Sequence, residues 1–177
     1  MKFGLDILIT SDEKAVPLAE LQKNAELAKT LFANPEKIDG AIMPMINGKA
    51  AMEAYSDPLL PLLEQWLLKL PWLLAGDTET IPMRNAERTF GFETVKEVVD
   101  ISCYLGTQNE VEEYILEPVQ VPLEALCESA IAASKLVMKV LDQVDPKFTE
   151  NQADARTLKE ASVEAERALK NFRLQRQ

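Results

Sequence analysis

The sequence predicts an α+β fold: an antiparallel β meander packed on helices, with a C-terminal antiparallel helical hairpin. Three observations predict it. Residues 3–9 alternate apolar and other side chains with a period of two, and residues 78–121 hold several short runs of the same kind. Residues 59–70 are apolar on nearly every side, as a central helix is. The last third carries two apolar stripes at helical spacing, broken by Asp145-Pro146-Lys147-Phe148. With no repeat, low-complexity tract or linker, the 177 residues are expected to form one α+β domain, 1–177.

Phe3, Leu5, Ile7 and Ile9 give the first strand one apolar face, and Ser11 and Asp12 open a polar turn. Pro17 suits the first turn of a helix, where its missing N–H costs nothing. Leu18, Leu21, Ala25, Ala28 and Phe32 then mark one helix face, which Asn34-Pro35 ends. Residues 41–46 form an apolar strand leading into Asn47-Gly48, a type I′ turn signal. Pro44 places that strand at a sheet edge. Residues 49–55 fit either a returning strand or a helix start. Asp57 is placed to cap a helix with Pro58 at its first position, followed by Leu59, Leu62, Leu63, Trp66, Leu67 and Leu70. Pro71 is expected to kink or end it, and Gly76-Asp77 closes the region.

Four β candidates follow: residues 78–83, Phe90-Gly91-Phe92, 98–105 and 111–116. In the third, Val99, Ile101, Cys103 and Leu105 share one face, and Asp100, Ser102 and Tyr104 share the other. Gly106-Thr107-Gln108-Asn109 supplies the hairpin turn into the fourth. The closing helices carry Leu123, Leu126, Ala130, Ala133, Val137 and Val140, then Leu158, Ala161, Ala165, Leu169 and Phe172. The second stripe can pack within the chain or against a second copy, so a homo-oligomer through the C-terminal helix is one option.

The composition excludes more than it selects. The chain has no histidine, which removes Ser-His-Asp and Cys-His catalysis and every imidazole metal ligand. The closest glycines, Gly40 and Gly48, are too far apart for a GxGxxG or P-loop cradle. Cys103 and Cys127 form no CxxC, and both read as small core residues of a reduced, cytoplasmic protein. Residues 1–6 make a poor signal peptide, and 58–75 contain Glu64, Lys69 and two prolines, so they read as a core helix and not a membrane span. No cofactor or metal is expected. Arg84 and Arg88, in a polar loop, fit an anion or simply an exposed turn.

The net charge of −10 opposes binding to nucleic acid or anionic membranes. It is unevenly spread. Residues 93–128 hold nine acids against one base, Lys96, whereas residues 155–177 hold six bases against three acids. In strand register, Asp100, Tyr104, Glu110, Glu112 and Tyr114 are expected to share one acidic, tyrosine-bearing face. Tyrosine gives contact area at low entropic cost and carboxylates give orientation, which suits recognition of a basic protein partner. A plain solvated sheet face, or a helical stretch with no shared face at all, is the alternative for the same residues. The expected function is that of a non-enzymatic cytoplasmic protein-binding protein, an acidic inhibitor or immunity-type protein masking a basic effector. Two alternatives stand beside it. One is a Mg²⁺-dependent nucleotide hydrolase built on Glu124/Glu128 and Glu160/Glu164; the other is a structural subunit of a larger assembly.

Overall fold

The computed structural model describes residues 1–12 and 14–177. Two antiparallel sheets share a helical layer. The first sheet contains β1 (Phe3–Ser11), β2 (Lys14–Pro17), β3 (Asp39–Ile46), β4 (Lys49–Ala50) and β5 (Asp57–Pro58), in the order β2-β1-β3-β4 with β5 also on β3. The second is a meander of β6 (Thr78–Pro82), β7 (Thr89–Val95), β8 (Val98–Gly106) and β9 (Val111–Pro122), in that order. Helices α1 (Leu18–Lys23) and α2 (Ala25–Leu31) link β2 to β3, and α3 (Leu59–Leu74) links the sheets. The chain ends in α4 (Leu123–Val144), the short α5 (Phe148–Asn151) and α6 (Ala153–Gln175). This is the α+β meander and helical hairpin that the periodicities predict.

The core explains the arrangement. Helix α3 buries Trp66 against the meander, where its ring meets Phe90 and Phe92 edge-on, each at 5.0 Å between centroids. Helix α4 packs on β1, and α6 lies against both α3 and α4. The stripe Leu158, Ala161, Ala165 and Leu169 is buried within the chain. One continuous apolar cluster joins both sheets to these helices. Trp72, by contrast, is 58% exposed.

Several local expectations change. The first helix is broken in two at Asn24, whose φ of −130° leaves the helix and whose Oδ1 accepts the Leu27 N–H at 3.2 Å. An asparagine side chain that can cap a new helix competes with continuing the old one. Pro17 stands just before α1, at the end of a strand, and Ala25 is exposed. Asn47 (φ +52°) and Gly48 (φ +79°) make the left-handed turn, and residues 49–50 return as a short strand. β1 covers one side of β3 fully, whereas β4 and β5 touch only its other side's ends, which leaves an open stretch where Pro44 is tolerated. Asp57 does not cap α3: it pairs with Gly40 in β5 and is buried, while Pro58 occupies the cap position. Pro71 neither ends nor opens the helix, which runs on to Leu74. It sits in the last turn, between buried Leu70 and Leu73, where apolar burial outweighs one lost hydrogen bond.

Candidate functional site

Register assigns the outer face of the meander. Ile81, Phe90, Cys103 and Leu116 fall in one cross-strand row on the inner, buried face. The neighbouring rows point outward: Thr78, Glu93, Asp100 and Gln120; then Thr80, Gly91 and Ser102; then Pro82, Thr89, Tyr104 and Tyr114. Gly91 lacks a side chain in the middle of this face, and a Cβ there would lie 2.7 Å from Ser102 Oγ and 3.0 Å from Tyr104 Cε1. Only glycine lets the Tyr104 ring lie down across the sheet. The result is a dent of about 110 Å³, lined among others by Thr80, Glu93, Asp100, Ser102, Tyr104 and Tyr114.

Tyr104 is 3% exposed, and its hydroxyl is buried with no hydrogen-bond partner among the described residues. Its ring meets Tyr114 edge-on at 6.2 Å and 81°. Burial is the main cause that pushes its phenol above the usual tyrosine value, with Tyr114 and Cys103 adding to it.

Of the five residues expected on this face, Asp100, Tyr104 and Tyr114 border the dent. Glu110 lies in the turn before β9, where its N–H donates to the Thr107 carbonyl and Oγ1, each at 3.1 Å. Glu112 is exposed at a register shift of β9, and Val111 takes the place beside the dent. The twelve residues of β9 run beside the nine of β8, and the bulges that take up the difference redirect the simple alternation. Glu93 is the residue that sequence reasoning missed. It stands directly opposite Asp100 across β7 and β8. The signal was present in Phe90-Gly91-Phe92-Glu93, since inward phenylalanines turn Gly91 and Glu93 outward.

The second acidic group meets a different fate. The end of α6 brings Arg173 to Glu124 at 3.0 Å and to Glu128, and Arg176 to Glu124 at 2.8 Å and to Glu97. Hydrogen bonds to Glu124 and Glu128 hold the Arg173 guanidinium even more firmly protonated than usual. Glu164 is paired with Arg167 at 2.6 Å. Glu124 and Glu128 thus turn to arginines, and no three Cys, Asp or Glu side chains gather into a possible metal site among the described residues. In contrast, Glu93, Asp100, Glu110, Glu112, Glu113 and Glu117 enter no ion pair among the described residues.

The loop between β6 and β7 is built around a carboxylate of the chain itself. Asp57 Oδ1 accepts the N–H groups of Arg84 at 2.9 Å and Asn85 at 2.7 Å. Arg88 lies over the Tyr55 ring at 4.4 Å. Both thiols are buried and free; burial pushes Cys103 up to about 11 and Cys127 up to about 12. Neither has the thiolate character that reactivity requires. No helix among the described residues is long and apolar enough to cross a membrane.

Set against protein-family models, curated proteins and solved structures, the chain matches none.

Proposed function

We propose that this is a non-enzymatic cytoplasmic protein-binding protein, an acidic inhibitor or immunity-type protein, which masks a basic effector with the outer face of its four-stranded sheet. One observation carries the reading: Glu93 and Asp100, beside Tyr104 and Tyr114, enter no ion pair among the described residues, although the same chain spends Lys69 on Glu79 and two arginines on other neighbouring carboxylates. Opposed carboxylates on adjacent strands repel, so a face that keeps them gains from a cationic partner. Long-range attraction speeds encounter, and the exposed Tyr114 ring, backed by buried Tyr104, supplies contact area once the surfaces meet.

The test is capture of partners from native lysate at low salt, followed by elution in a salt gradient. The expected outcome is a stoichiometric basic protein whose binding drops at least about tenfold in an E93K/E110K/E112K variant and survives E160K, a reversal on α6. Binding that tolerates the triple reversal overturns the reading.

A further inference from the structure

The dent around Gly91 has features that a merely acidic surface lacks. Its volume of about 110 Å³ corresponds to a few water molecules at roughly 30 Å³ each, far below the roughly 300–1,000 Å³ of drug-sized pockets. It therefore suits the head of one side chain. At its rim, Glu93 and Asp100 face each other across the strands, and neither enters an ion pair among the described residues. Tyr104 lines it, and the phenol oxygen is sealed beneath the surface without a hydrogen-bond partner among the described residues, an unusual state for a phenol in a folded protein. Ser102 adds a second hydroxyl beside the Gly91 backbone.

A ligand for this set must be cationic, small and rich in donors. Ammonium and guanidinium both carry the charge. The guanidinium is planar, offers five N–H groups in a fixed fork, stacks on tyrosine and gives up its water more readily than an ammonium. Two carboxylates together with a phenol oxygen call for several donors in different directions, which the fork supplies. We propose that the dent is the seat of one arginine side chain of the basic partner, held by Glu93, Asp100 and the Tyr104 hydroxyl. This deepens the docking reading above and rests on it: the sheet face provides the attraction, and the dent provides the anchor that selects which arginine is bound.

The probe is N-acetyl-arginine amide, titrated into ¹⁵N-labelled full-length protein while backbone amide shifts are followed. Saturable shifts are expected at Gly91, Asp100, Ser102 and Tyr104, in the millimolar range for so small a ligand. N-acetyl-lysine amide should bind about fivefold more weakly. The neutral analogue N-acetyl-citrulline amide should leave those amides unmoved. E93Q/D100N, both on exposed or half-exposed positions, should weaken the arginine response about tenfold. Y104F keeps the ring and removes only the unpartnered oxygen, and should weaken it about threefold. Shifts absent from these amides, equal for citrulline or lysine, or indifferent to E93Q/D100N overturn the proposal. The titration contains no partner, so the two readings fail separately. Capture that persists without an arginine response removes the dent alone, and an arginine response without capture removes the docking reading alone.

Discussion

Two acidic groups arise from the same stretch of chain, and the fold treats them in opposite ways. Glu97, Glu124 and Glu128 gather where β9 runs into α4, and the last turns of α6 bring Arg173 and Arg176 onto them. Glu93 and Asp100 belong to the same run but point from the outer face of the meander, and neither is paired with that helix end among the described residues. Two of the bases near the end of the sequence, Arg173 and Arg176, are thus consumed locally. They do not act as a general counterweight to the acids. A charge count over a segment therefore says little about whether a carboxylate is available. What decides it is which helix terminus returns to which strand.

One buried thiol lies behind each region, Cys103 on the inner face of β8 and Cys127 beside Glu124 and Glu128 on α4, and these give the largest contrast. The folded thiols hold their protons up to about pH 11 and about pH 12, respectively, because burial disfavours the thiolate. An unfolded thiol ionises near about 8.5. The unfolded chain therefore releases protons that the folded chain keeps, so stability is fully present below that pH and falls as pH rises toward the folded values. The expected loss is about 1.4 kcal/mol per thiol for each pH unit in this window. Urea midpoints from pH 8 to 10.5 should decline less in C103A and in C127A, each measured against its own value at pH 8. An unchanged decline in either variant would place that thiol in water.

Next in size is R173A/R176A, which strips the cations from the capped group. Four half-exposed pairs at about 0.5 kcal/mol each imply a loss of about 2 kcal/mol in urea unfolding at low salt, shrinking at high ionic strength. The smallest effect has the opposite sign. E93Q/D100N removes two opposed charges that nothing offsets and should stabilise the isolated protein by about 0.5 kcal/mol, again most at low salt. If both acidic groups responded in the same direction, the contrast between a satisfied and an unsatisfied surface would fail.

The periodic parts of this molecule were readable from the chain. The Leu158-to-Leu169 stripe, the Val99-Ile101-Cys103 face and the Asn47-Gly48 turn each follow from local spacing or local backbone preference, and each stands as expected. The site was half readable. Asp100, Tyr104 and Tyr114 share a face because β8 keeps its alternation, whereas Glu112 moved because it is the extra residue of β9 where the register shifts opposite Leu105 and Gly106. Bulges depend on how two strands reconcile their lengths, and no single strand reveals that. The pairing of Arg176 with Glu97 spans 79 positions, and only the closed fold brings such partners together. Asp57 shows the same limit, since its position before Pro58 resembles a helix cap until the loop at Arg84 arrives.

That aspartate also bears on the order in which the molecule assembles. The hairpin of β6 and β7 can zip up from its own neighbouring residues, but the amides in its connecting loop find their acceptor 27 and 28 positions upstream, on a strand of the other sheet. Closing so long a segment carries an entropic cost that a local hairpin avoids. The loop is therefore satisfied only when β5 has joined β3 and α3 has swung the meander back over it. A single carboxylate makes the last adjustment of one sheet conditional on the completion of the other, which turns two separable pieces of architecture into one cooperative unit.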